Sequence, residues 1–337
     1  MPRDTSSKSV VYAALAGNVL VAVTKSVAAA MTGSSANLSQ AVHSLVDTVN
    51  EVVLLYGYRR AARTPDPVHP LGYGRELYFW SFIVAVLLFA LGAGAAVYEG
   101  VLRVITPEPI QGALINYIVL GLSFVFEGLS WHVALRAFRA AKGNLSYWQA
   151  FRKSKDPPAF MVLFEDSAAL IGIVIAALGI FAADTLQMPI FDGGASILIG
   201  LVLAFSASLL ARESKGLLIG ERADERIAAS IESLACEEPE VMGANGILTV
   251  QLAPNQIVVA LSLEFADELR TPQIEASVFR LENRIREQHP QVMALFVKPQ
   301  TQGSFDRSRR DRFGEGTPGA DSSPTTAAPA RSTAAKP

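Results

Sequence analysis

The stretch "SQAVHSLVDTVNEVVLLYG", residues 39–57, ends as a membrane helix and begins as something else. Gln40, His43, Asp47 and Asn50 recur at intervals of three or four, so a helix gathers them into one polar stripe. An ionisable side chain inside an apolar span costs several kcal/mol unless it finds a partner. Two readings account for such a stripe: polar contacts that hold helices together, or a path for ions.

The chain around it suits lipid. Of 337 residues, 50% are hydrophobic and 18% charged, whereas soluble domains carry roughly a quarter charged residues. Apolar segments over 9–31, 36–58, 77–103, 112–135, 159–183 and 192–213 each reach the roughly 20 residues that cross a bilayer core. "DPP" precedes the fifth and "PIFDGG" opens the sixth, both helix-start signals. The expected architecture is an α-helical membrane protein with six transmembrane helices. "MPRDTSSKSV" lacks a cleavage site after its first apolar run and reads as the lead-in to an uncleaved helix.

Lys and Arg concentrate before the first segment, between the second and third (Arg59, Arg60, Arg63, Arg75), and around the fourth-to-fifth connection (Arg136, Arg139, Lys142, Arg152, Lys153, Lys155). The alternate connections carry Arg103 alone. The positive-inside rule then places both termini in the cytoplasm of a plasma or inner membrane. A net charge of −2 argues against nucleic acid as a partner. The single cysteine, Cys236, allows no intrachain disulfide and no cysteine-rich metal site. No glycine-rich phosphate loop is present, so nucleotide hydrolysis is not implied.

Beyond Arg212 the composition turns soluble. Residues 214–300 read as a charged helix (222–238), strands "GILTVQLA" and "QIVVALSLEFA" joined by "PN", a helix "TPQIEASVFRLENRIREQH" and a strand "VMALFVKP". That order suggests a small α+β sandwich with one helical layer on one sheet. Residues 301–337, rich in Gly, Pro, Ser, Thr and Ala, read as a disordered tail. The domains are therefore expected at 1–213, 214–300 and 301–337.

His43 and Asp47, four apart on a helix, can grip one ion together. "MVLFEDSAALIG" in the fifth segment adds Glu165 and Asp166. Adjacent carboxylates in lipid repel unless a cation, proton or water neutralises them. One imidazole and up to three carboxylates on two helices make a divalent-cation site. Lys25 either pairs with a carboxylate or snorkels outward. Glu127 and His132 either line an entrance or, for His132, lie at the interface. Asp192 reads as the cap of the sixth helix, and His289 as a solvated or capping residue at a helix end.

The chain resembles the cation diffusion facilitators over about residues 8–300. The likeness rests on "SSANLSQAVHSLVDTVNE", "HPLGYGRE" and "DGGASILIGLVL" together with the domain order. "NEVVLLYGYRRA" and "FEDSAALIG" are most similar to the branch holding the mitochondrial, nuclear-coactivator-like zinc transporter of animals. The resemblance implies a ferredoxin-like cytoplasmic domain, a homodimer, and export of a divalent metal, zinc first, in exchange for protons. It implies no catalysis and no resident cofactor, the metal being cargo. His43 and Asp47 match the family's second-helix metal pair and Asp166 the later residue of its fifth-helix pair. Val162 stands where the earlier one belongs and cannot bind metal, leaving Glu165 or a water to substitute. An oxygen-rich site tilts selectivity toward Mn²⁺ or Fe²⁺. Asp66 and His69 match a second, loop site, with Tyr73 where a histidine is often found. The rival to transport is a non-transporting regulatory subunit that keeps the fold.

Overall fold

The computed structural model describes residues 3–32, 35–107 and 113–313; the side chains of residues 35–43, His43 among them, lie outside that set. The chain divides after Gly220 into two compact units.

The first unit is a helical bundle: α1 (Arg3–Thr32), α2 (Ser35–Ala61), α3 (Glu76–Leu87), α4 (Gly94–Ile105), α5 (Ala113–Lys142), a short α6 (Tyr147–Lys153), α7 (Pro157–Leu186) and α8 (Ile190–Ile219). A π turn, Leu88–Ala93, joins α3 to α4 in one continuous span. Among the described residues, five spans are long and apolar enough to cross a membrane: Lys8–Ala28, Glu76–Ile105, Leu114–Lys142, Phe160–Leu186 and Ile190–Ile219. At 27 residues α2 has the length, but its polar stripe lowers its hydropathy. It packs in the same bundle, against α1 and α3. The protein is an integral, multi-pass membrane protein.

Residues between the fourth and fifth expected spans are not all connection. Ser146 and Gln149 cap each other reciprocally to start α6, and Phe151 anchors it with 2% exposure, its ring 5.0 Å from Phe160 and 4.6 Å from Phe164. α8 runs on past Arg212 and stops where Gly220 takes a φ of 117° that a side chain would resist. Asp192 does not cap it. The helix begins at Ile190 after Pro189, and Asp192, in the first turn, forms an ion pair with Arg103, which also holds Glu99 at 2.6 Å.

α4 and α8 lie backbone to backbone. A Cβ on Gly100 would fall 2.7 Å from the Ile197 nitrogen and 2.8 Å from the Gly193 oxygen, and one on Gly200 would fall 2.9 Å from the Val97 nitrogen. Only glycine permits that approach. At the other end of the bundle, Arg60 on α2 forks onto Glu76 with contacts of 3.0, 3.0 and 2.5 Å, and Trp80 donates to the same carboxylate at 2.9 Å.

The second unit comprises α9 (Glu225–Cys236), β1 (Val241–Ala253), β2 (Gln256–Phe265), α10 (Thr271–Gln288), β3 (Val292–Pro299) and α11 (Gln302–Phe313). Its sheet order is β1-β2-β3. The two-residue connection makes β1 and β2 a hairpin; α10 crosses over so that β3 runs parallel to β2, with Ala260 opposite Phe296. Ile257, Val259, Leu261 and Leu263, on alternate positions of β2, are at most 1% exposed and pack with Ile231 of α9 and Leu281 and Ile285 of α10. This is the expected ferredoxin-like layer of helices on a sheet. Arg280 and Arg284 of α10 tie down Glu238 beyond the end of α9, at 3.3 and 2.8 Å.

The reading of a disordered tail from Thr301 is corrected over its first residues by α11. Thr301 Oγ1 accepts the Ser304 amide at 3.4 Å, and the Phe305 ring lies over Gly246 of β1, where a Cβ would meet it at 2.6 Å. One cap and one aromatic anchor order a segment whose average composition is polar. Residues 314–337 lie outside the described set.

Candidate cation site

α2 and α7 carry the acidic side chains into the bundle. On α2, Asp47 is half-buried, and one turn further Asn50 and Glu51 are 1% and 0% exposed. On α7, Glu165 and Asp166 are 7% and 2% exposed. The Ser130 hydroxyl on α5 donates to Asp166 Oδ2 at 2.7 Å, and Trp131 Nε1 donates to Ser167 at 2.9 Å, so α5 fixes the face that α7 presents. Glu165 has no such support. Both its oxygens are buried without a hydrogen bond, as are both oxygens of Glu51 and the amide of Asn50. Asn50 faces Glu165 without completing a bond of ordinary geometry.

The electrostatic neighbourhood is wider than two helices. Glu51 lies within the electrostatic reach of Glu165, Asp166, Asp47 and Glu127. Lys25 of α1 points inward: its ammonium donates to Ser44 Oγ at 2.8 Å and feels Asp47 and Glu127. Lys25 thus turns inward, but the partner it meets there is the Ser44 hydroxyl and not a carboxylate. Yet among the described residues no three His, Cys, Asp or Glu side chains already converge closely enough to enclose a metal ion. The carboxylates share one field without sharing one point. Val162 is fully buried within the apolar core, so its position on α7 is filled by hydrocarbon.

A model of the cation efflux transmembrane domain matches residues 11–219. The chain belongs to the cation diffusion facilitator family. Among curated relatives, this facilitator is 32% identical over 259 residues to the proton-coupled zinc antiporter SLC30A9, mitochondrial, of Xenopus laevis, covering 76% of the chain and 46% of that protein. It is 34% identical over 225 residues to metal tolerance protein C4 of Arabidopsis thaliana, covering 66% and 49%. It is 23% identical over 265 residues to the cation-efflux pump FieF of Cronobacter sakazakii, covering 77% and 81%. The facilitator spans about half the length of the first two.

The structure thus brings Asp47, Glu165 and Asp166 of this facilitator into one acidic neighbourhood, while the His43 side chain is outside the described residues. Glu51, which the sequence reading did not single out, is buried in the same part of α2. It follows Asp47 by four, the spacing that links His43 to Asp47, and the stripe extended by one more step reaches it.

In the loop before α3, Asp66 is spent on its own backbone. It accepts the Val68 amide at 3.0 Å, the His69 amide at 2.7 Å and the Tyr73 hydroxyl at 2.5 Å. Tyr73 is the chief cause of a carboxyl held below its ordinary range, followed by the His69 amide. The His69 ring packs on Tyr73 at a tilt of 36°, with centroids 4.4 Å apart. These contacts make a self-gripping loop. In the C-terminal unit His289 Nε2 hydrogen-bonds Ser230 Oγ at 2.8 Å, tying the end of α10 to α9.

Proposed function

We propose that this facilitator is a secondary transporter that exports a divalent cation from the cytoplasm in exchange for protons by alternating access, with Zn²⁺ as the first cargo. The observation that carries the reading is the pair of adjacent carboxylates Glu165 and Asp166 buried on α7, of which Glu165 makes no hydrogen bond of ordinary geometry. Buried charge without a partner is unstable unless a cation or proton neutralises it. A site that must hold one or the other is the elementary device of metal–proton exchange, because metal binding needs deprotonated ligands.

In this proposal Asp47, Asp166 and Glu165 supply oxygen donors and His43 supplies the nitrogen. The imidazole, with an unperturbed pKa of about 6.5, is the coupling group. Both termini face the cytoplasm of a plasma or inner membrane. The chain forms a homodimer through residues 214–300, whose Leu248, Phe279 and Phe296 expose apolar area, and does so without metal. Asp66 and His69 form at most a weak second site, since Asp66 is already occupied by its loop. The names of the SLC30A9 relatives support zinc and proton coupling, and those relatives are transporters, not enzymes.

Val162 supports a second reading of the cargo. With hydrocarbon where a second α7 ligand would stand, the remaining described donors are oxygens, which suit Mn²⁺ or Fe²⁺. Uptake of Zn²⁺, Mn²⁺ and Fe²⁺ into proteoliposomes under a pH gradient tests both. Proton-driven uptake of zinc supports the first; uptake of manganese or iron alone supports the second. No uptake of any, from folded protein, leaves a non-transporting subunit.

A further inference from the structure

The corner where α5 gives way to α6 takes no part in the cargo chemistry above. It connects two membrane spans, Leu114–Lys142 and Phe160–Leu186, and so lies at one lipid–water boundary. Between Glu127 and Asp156 the chain carries Arg136, Arg139, Lys142, Arg152, Lys153 and Lys155 and no acidic residue. Arg136, Arg139, Arg152 and Lys153 are exposed, and none of them pairs with a carboxylate of a described residue. The basic connection before α3 differs, since Glu76 takes up Arg60 there.

Charge that only sets orientation in the membrane needs no fixed arrangement, yet these cations are held beside two aromatic rings. Arg139 Nε donates to the Tyr147 hydroxyl at 3.0 Å, and the Lys142 ammonium lies 5.1 Å from the centre of the same ring. Arg136 precedes Arg139 by three on α5, and Arg152 follows Trp148 by four on α6, so each shares a helix face with its neighbour. Trp148, braced by Phe151 at 5.5 Å, and Tyr147 stay 53% and 48% exposed. Such rings at the end of a span settle at headgroup level, and clustered cations beside them attract anionic lipid.

We propose that the α5–α6 corner is a binding surface for an anionic phospholipid, with Arg136, Arg139 and Arg152 toward the headgroup phosphate and Tyr147 and Trp148 against the glycerol region. In the orientation proposed above, this is a lipid of the cytoplasmic leaflet. The inference rests on the membrane spans and not on the identity of the cargo. Because Phe151 anchors α6 onto Phe160 and Phe164, a lipid held there braces the start of α7, the helix that carries Glu165 and Asp166.

The test uses the full chain in a neutral detergent, titrated with phosphatidylglycerol or phosphatidylcholine and read by native mass spectrometry. Expected is tighter retention of phosphatidylglycerol, weakening as salt rises. Arg136→Gln combined with Arg152→Gln removes two cations worth about fivefold each, so the preference should fall at least about tenfold. Equal retention of both lipids by the unaltered chain, or an unchanged preference in the double variant, overturns the proposal. So does displacement by inorganic phosphate at constant ionic strength, which would assign the surface to a free anion. Should the double variant fail to fold, Trp148→Phe decides. Phosphatidylglycerol brominated in its acyl chains should quench tryptophan fluorescence of the unaltered chain more than brominated phosphatidylcholine does, and Trp148→Phe should lose that excess. An excess that persists places the lipid elsewhere and overturns the proposal.

Discussion

Ser130 on α5 donates a 2.7 Å hydrogen bond to Asp166 on α7, so the most deeply fixed carboxylate of the cluster is oriented by a helix other than its own. A ligand held this way loses its aim when the donor is removed. Ser130→Ala is expected to weaken zinc binding about tenfold and to cost about 1–3 kcal/mol of stability, since Asp166 stays buried. Zinc titration and a thermal melt measure the two. A stability loss with unaltered affinity would assign Ser130 to helix packing alone.

Asp47→Ala is expected to abolish metal-driven transport while expression and dimerisation stay normal. The side chain is half-buried and joins no described apolar cluster. Proteoliposome flux and size-exclusion chromatography check it, and flux at the unaltered rate would place the ion path elsewhere.

Val162→His puts an imidazole one turn before Asp166 on α7. It is expected to raise the zinc-to-manganese affinity ratio about tenfold by adding a nitrogen donor. Because Val162 is fully buried in the apolar core, overpacking should also lower stability by about 1–3 kcal/mol. A destabilised variant with an unchanged ratio would mean that this position does not open onto the site.

Asp66 yields a pH prediction. Its carboxyl is held below the ordinary range chiefly by Tyr73, then by the His69 amide. A depressed folded value stabilises the loop above the unfolded carboxylate pKa of about 3.9, and that stability is lost as pH falls through the lower folded value. Tyr73→Phe should therefore make the loop loosen at a higher pH. Hydrogen exchange of the Val68 and His69 amides reads this directly. No difference between the two proteins would show that the backbone amides suffice.

Phe305→Ala should release α11 from β1. The ring is the described contact that covers Gly246, and losing it forfeits about 1–3 kcal/mol of apolar burial. Limited proteolysis is expected to cut within 302–313 in the variant and spare the unaltered chain. Equal cutting would mean that the Thr301 cap holds the helix unaided.

The bundle was legible because apolar runs announce themselves, and the β2 alternation of Ile257, Val259, Leu261 and Leu263 announced the sheet. Asp47, Glu165 and Asp166 were legible as charges in lipid. Glu51 was not, because it opens the apolar stretch "EVVLLYG" and reads as the stripe's edge. The role of Asp192 depended on Arg103, 89 residues away in the chain; local capping rules see only nearby partners. α11 escaped because one aromatic contact ordered it, which an average over composition dilutes.

The glycine-lined seam between α4 and α8 bears on how the molecule can deform. Side-chain interfaces tolerate sliding because rotamers re-seat, but backbone set within van der Waals distance of backbone has no rotamers to yield. The Gly100, Gly193 and Gly200 contacts therefore weld α4 and α8 into a single stiff plank that resists shear along its length. Any relative movement of the helices meets least resistance where side chains, not backbone, line the contact.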